Sequence, residues 1–188
     1  MRYFIQKISS YDDEQFHRLL PPEMIADLQR YSSPARRQEK AASYLLLIDA
    51  LQQCHLYVEP PSILYHPSGK PYLANYPNIH FNLSHSKTHV SVALNLSSPV
   101  GIDVENIRKV SPSLIQRVCN DTEKETIRLS SNPTSEFLKL WTRKEAYLKY
   151  TGQGINNSLI DVPPQGNYTI ETHPLPNADG WVSICYKP

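Results

Sequence analysis

At 188 residues and 21.5 kDa the chain is one large domain or two small ones, long enough to bury a core without covalent staples. Its 40% hydrophobic and 20% charged residues exclude an intrinsically disordered chain. A balance of 19 Lys and Arg against 18 Asp and Glu, a formal charge of +1, excludes a general nucleic-acid surface, so any anion site has to be local.

In chain order, residues 2–8 alternate as an opening strand, and residues 12–30 have weak helical spacing broken by Pro21 and Pro22. A clear helix is predicted over 34–53. Pro34 sits near its start, Ala41, Ala42, Leu45, Leu46, Ile48 and Leu51 recur at helical spacing, and Arg36, Arg37 and Lys40 crowd its first turns. Strands follow at 62–65, 72–73, 80–83 and 90–95, with a Pro67–Lys70 turn between the first two. The plan then recurs: a strand at 100–105, a weak helix at 112–128, a strong helix at 136–150, and strands at 158–162, 167–172 and 181–186. The natural hinge between the halves is Ser97-Ser98-Pro99, which divides the chain into 1–98 and 99–188.

Cys54, Cys119 and Cys185 lie far apart and form no C-x-x-C pair, which suits reduced thiols better than disulfides or a zinc site. No apolar run reaches the ~20 residues of a membrane span, and the first residues lack a signal-peptide core. The expectation is a cytoplasmic protein that binds neither membrane nor nucleic acid.

In Gly101-Ile102-Asp103-Val104-Glu105 the period of a strand places Asp103 and Glu105 on one face, with Cα atoms about 7 Å apart. Both head groups can reach one hard cation such as Mg²⁺ or Mn²⁺. The same pentapeptide also suits the solvated face of an edge strand. On the strong helix Glu145 lies one turn beyond Trp141, flanked by Arg143, Lys144 and Lys149, so it either joins the acids or forms an ordinary Glu–Lys pair with Lys149. Phe81-Asn82-Leu83-Ser84-His85-Ser86 gathers polar side chains into what reads as a turn able to grip phosphate. His85 and His89 have helical zinc spacing but strand-like flanks and no H-E-x-x-H motif.

These blocks, in order, resemble the 4′-phosphopantetheinyl transferase superfamily, particularly its Sfp-type branch: Gly69-Lys70-Pro71, the Phe81–Ser86 block, Gly101–Glu105, and Trp141-Thr142-Arg143-Lys144-Glu145-Ala146-Tyr147-Leu148-Lys149 with Gly152 and Gly154. The resemblance implies an α+β fold, a pseudo-dimer of two similar α+β halves in one chain. It implies transfer of the phosphopantetheine arm of coenzyme A to a serine of an acyl- or peptidyl-carrier protein, with release of adenosine 3′,5′-bisphosphate. It also implies Mg²⁺ (or Mn²⁺) held by Asp103, Glu105 and Glu145, with Glu145 as base. Coenzyme A would be contacted by His85, Ser84, Lys70, Arg36 and Lys40, and the pyrophosphate steadied by Lys144 and Lys149. An arginine that many relatives carry in the first long helix is replaced by Ser43 or Tyr44. The alternatives are a catalytically silent module that binds coenzyme A or a carrier protein, and a Mg²⁺-dependent phosphohydrolase of another fold. An internal repeat makes a monomer the expected state.

Overall fold

Strand β1 (Arg2–Lys7) opens the chain, and Pro21 and Pro22 split the next stretch into α1 (Asp13–Leu19) and α2 (Pro22–Leu28). A proline lacks the N–H that a helix interior needs but is tolerated in a first turn. The same rule starts α3 (Pro34–Gln53). Strands β2 (Ile63–Tyr65) and β3 (Pro71–Leu73) form a small hairpin, followed by β4 (His80–His85) and β5 (His89–Asn95). The second half holds β6 (Val100–Asn106), α4 (Pro112–Val118), α5 (Asp121–Leu129), α6 (Pro133–Thr151), β7 (Thr169–Pro174) and β8 (Gly180–Tyr186). This computed structural model describes residues 1–9, 13–154 and 159–188.

The architecture is α+β. Two three-stranded antiparallel sheets run β1-β5-β4 and β6-β8-β7, so each places its first strand beside its third and its second at the far edge. In each the long helix falls between the first and second strands in sequence. Helix α3 lays Ala42, Leu46, Leu47, Ala50 and Leu51 on Phe81, Val90, Val92 and Leu94 of the first sheet. Its other side, Ala41 and Tyr44, meets Phe16, Leu20, Met24 and Leu28 of the short helices. The opposite face of the first sheet, through Ala93, Tyr3 and Ile5, packs on Val100, Ile102, Val104, Val182 and Ile184 of the second. Strand β5 is buried along its whole length because both faces are covered.

The sheets meet along a polar seam. Alternate residues of β4 and its turn reach alternate residues of β6: Ile102 N donates to Asn82 Oδ1 (3.0 Å), Val104 N to Ser84 Oγ (3.3 Å), and Ser86 Oγ to Asn106 Oδ1 (2.7 Å). Buried N–H groups need acceptors, and here side chains supply them where no strand pairs with β6.

On its other face β6 touches α6 without an intervening side chain. A Cβ built on Gly101 would lie 2.1 Å from the Ala146 carbonyl oxygen and 2.3 Å from the Tyr150 nitrogen. Only glycine permits this approach, which sets the height at which α6 crosses the sheet.

Three sequence expectations change. The single helix expected over 112–128 is two, α4 and α5, because the Asn120 capping box starts a new helix. The Phe81–Ser86 block is strand as far as His85, because Phe81, Leu83 and His85 pair in register with Leu94, Val92 and Val90 of β5. Residues 159–162 are turn and loop, and position 158 lies outside the described residues. Replacing Gly101 with Ala should destabilise the protein by about 3 kcal/mol, since backbone on both sides has to move; urea unfolding of the variant measures it.

Candidate active site

Gly101, Asp103 and Glu105 share the face of β6 that looks towards α6, and α6 answers with Glu145 and Lys149, one turn apart. Lys149 Nζ lies 2.7 Å from Asp103 Oδ1 and 2.8 Å from Ser84 Oγ. Ser84 Oγ donates to the same carboxylate oxygen at 2.9 Å. Asp103 and Glu145 are only 6% and 7% exposed, yet Asp103 Oδ2 and Glu145 Oε1 have no hydrogen-bond partner. Leaving buried carboxylate oxygens unanswered is costly. Burial, reinforced by Asp103 and Glu105 and opposed by Lys149, pushes the Glu145 carboxyl up to about 7.

Two unanswered hard oxygens, one on each of two packed elements, suit a hard divalent cation. The three acids are not yet gathered, however. Glu105 is turned to Arg108, whose Nε and Nη2 donate to Oε2 and Oε1 at 3.2 Å each. Among the described residues no group of three or more His, Cys, Asp and Glu side chains is close enough to hold a metal.

A cavity of about 310 Å³ opens beside the acids, lined by Glu145 and Lys149, by Asn82 and Leu83 of β4, and by Lys70 and Gly152. Three further basic or imidazole side chains lie outside this lining. The His85 side chain, at the end of β4, is 54% exposed and lies 3.5 Å from Glu39 Oε2 on α3. Partial burial lowers its ring pKa; Glu39 and Asp103 resist that, while Lys149 and Lys40 add to it. Lys40 donates to the Tyr65 hydroxyl at 3.3 Å and sits over the Tyr44 ring at 4.9 Å, while Arg36, one turn earlier, is exposed. Ser43 and Tyr44 are buried, and the Tyr44 hydroxyl donates to Asp27 Oδ2 at 2.5 Å. The position expected to hold an arginine therefore faces the core.

Three expected site residues have other partners. Lys144 points away from the acids: its ammonium, on a side chain 2% exposed, pairs with Glu123 Oε1 at 2.9 Å and donates at 2.8 Å to both the Leu159 and Val162 carbonyls. A role on the pyrophosphate is corrected to that of a buried brace, because every donor already has an acceptor within α5 and the 159–162 loop. The other Glu123 oxygen accepts from the Asn120 N–H in the capping box that starts α5, so one carboxylate ties the helix cap to the brace. Lys70 lines the cavity, but its ammonium bridges Tyr150 O (2.8 Å) and Val100 O (3.3 Å), and burial lowers its pKa to about 8. Its head group fastens α6 to β6. Ser84 is 5% exposed with its hydroxyl engaged by Asp103, Lys149 and Val104, so it orients the acid from beneath. Arg108 and Glu123 went unnoticed in the sequence, and Asn82 was noted only as part of the Phe81–Ser86 block. The alternation of the polar residues Asn82, Ser84 and Ser86 is the sequence signal from which the seam could have been found.

Residues 99–185 match the family model "4'-phosphopantetheinyl transferase superfamily". Among curated proteins, the 4'-phosphopantetheinyl transferase Sfp of Bacillus subtilis is 28% identical over 97% of this chain and 78% of its own length. HetI of Nostoc, named as the same transferase, is 34% identical over 72% of this chain and 61% of its own. The psf-1 protein of Bacillus pumilus is 37% identical over 49% of this chain. The chain belongs to the 4′-phosphopantetheinyl transferase superfamily. It covers 40% of the length of psf-1, where the likeness concentrates on part of the chain, whereas the likeness to Sfp runs through nearly all of it. In this superfamily member the matched stretch contains β6 and α6, the elements that carry the paired acids.

Replacing Lys144 with Met should destabilise the protein by about 3 kcal/mol in urea unfolding, because Glu123 loses its buried partner. For Glu145 the sign is opposite. The unfolded carboxyl ionises near 4.5 and the native one near 7, so native stability falls between those values and stays lower above them. Glu145→Gln cannot titrate and should therefore be more stable than the parent by up to about 3 kcal/mol at pH 8, with the gap closed at pH 4. Urea midpoints across that range in chelated buffer read the difference.

Proposed function

We propose that this protein transfers the 4′-phosphopantetheine group of coenzyme A to a serine hydroxyl of an acyl- or peptidyl-carrier protein, with Mg²⁺ or Mn²⁺. The observation that carries this reading is the pair of buried, unanswered carboxylate oxygens on Asp103 and Glu145 of a superfamily member, the first paired to Lys149 and the second lining a cavity with it. Asp103 and Glu145 would hold the cation, joined by Glu105 once it leaves Arg108. The ion would neutralise negative charge on the pyrophosphate oxygens.

The remaining work falls to the chain's own groups. Lys149, directed by Asp103, is a cation on the cleft wall available to a pyrophosphate oxygen. His85, Lys40 and Arg36 present positive or hydrogen-bonding groups along the rim for the coenzyme's other phosphate. In the reaction the carrier serine oxygen bonds to the β-phosphorus, the bond from that phosphorus to the bridging oxygen breaks, and adenosine 3′,5′-bisphosphate leaves. The serine proton passes to Glu145, directly or through one water. A carboxylate within hydrogen-bond reach of the hydroxyl suits that transfer.

The internal plan is read as a pseudo-dimer, with an N-terminal half at 1–98 and a C-terminal half at 99–188 carrying the acids. In support, both sheets have the same strand order, and both have one long helix inserted after the first strand. The chain acts as a monomer in the cytoplasm on this reading, its two halves standing in for two subunits.

The test mixes the protein with coenzyme A, Mg²⁺ and an apo carrier domain and follows the carrier by mass spectrometry. Gain of the phosphopantetheine arm is expected. Asp103→Ala should abolish it, and Glu145→Gln should slow it at least about 100-fold while coenzyme A still binds. Binding of coenzyme A without any mass gain would indicate a silent binding module instead.

A further inference from the structure

Of the three acids, two are ready for a cation and one is held back. Asp103 gives one oxygen to Lys149 and Ser84 but leaves Oδ2 unanswered, and Glu145 leaves Oε1 unanswered. Lys149 therefore steadies Asp103 without covering the oxygen a cation would use. Glu105 differs, because both of its oxygens are engaged by one guanidinium. The side chains of Arg108 and Glu105 are 44% and 21% exposed, so the pair is partly open to solvent.

The backbone beneath this pair is pinned. Asn106 Oδ1 accepts from Ser86 Oγ, Thr88 N and Thr88 Oγ1, and Ile107 N donates to Asp179 O at 2.7 Å. Arg108 thus starts from a fixed point, and only its side chain needs to turn for Glu105 to be released. We propose that Arg108 is a latch on this site: it holds Glu105 away until a divalent cation displaces it, and so sets the protein's affinity for that cation. The proposal rests on the metal-binding reading of Asp103 and Glu145. The exchange breaks the Glu105–Arg108 ion pair, forms a bond from Glu105 to the cation, and leaves the guanidinium to solvent.

An exposed ion pair of this kind is a weak competitor. The latch therefore lowers affinity modestly and does not abolish binding. Mn²⁺ alone, added to the full chain and followed by electron paramagnetic resonance of the free ion, is the probe. Arg108→Ala should bind Mn²⁺ roughly two- to fivefold more tightly than the parent. Lys109→Ala removes the same charge one exposed residue further on and should leave affinity unchanged, which separates a latch from a general field. In a Glu105→Gln background, Arg108→Ala should have no effect, since the latch then has nothing to hold.

Mn²⁺ binding that depends on Asp103 and Glu145 but is unmoved by Arg108→Ala overturns the latch and leaves the metal site standing. Equal tightening by Arg108→Ala and Lys109→Ala also overturns it. Failure of the parent to bind Mn²⁺, or binding indifferent to Asp103→Asn, overturns the metal-site reading and the latch together.

Discussion

The contact on which the rest depends is backbone on backbone, where α6 rests on β6 at Gly101. Without a side chain at that position the helix comes down far enough for Glu145 and Lys149 to meet Asp103, two residues along the same strand face. Any larger residue would lift α6, and the paired acids would separate into a solvated strand face and an ordinary amphipathic helix. Lys70 reinforces the approach by donating to a carbonyl on each partner. The site is thus a consequence of one helix-to-sheet distance, which explains why it is built on two rigid elements and not on loops.

Charges around that contact divide by burial. Lys144 and Glu123 lie deep on the far side of α6, and their pairing is a structural necessity because either alone would be a stranded charge. Lys149 and Asp103 lie at intermediate depth, the lysine partly open and the carboxylate buried, close enough to orient each other. Arg108 and Glu105 sit outermost, where water weakens their attraction and makes it replaceable. Three neighbouring ion pairs of similar composition therefore do different work, and depth decides which.

The seam between the sheets follows a related logic. Strand β6 pairs with β8 on one edge only, and its other edge would be an unsatisfied row of N–H groups in the interior. Asn82 and Ser84 answer it with side chains, and Ser84 extends the same network to Asp103 and Lys149. Packing of the two halves and orientation of the first acid are one hydrogen-bond system.

The long helices, the strand at Val100–Asn106 and the shared face of Asp103 and Glu105 were legible in the chain alone, because helical and strand periods are local properties of sequence. The order of the motif blocks likewise pointed to the superfamily before any coordinates. What local spacing could not show was direction. Lys144 and Lys149 lie five residues apart on one helix, about 140° round its axis, yet which faces the acids depends on which side β6 covers. The same holds for Ser84, read as a ligand in a turn and found as a buried strut in a strand, and for Lys70, whose partners lie 30 and 80 residues away. Sequence by itself determined which chemical groups are present and on which elements they ride. Only the tertiary structure decided which of them meet, because that depends on how closely two elements pack, and here on the missing side chain of a single glycine.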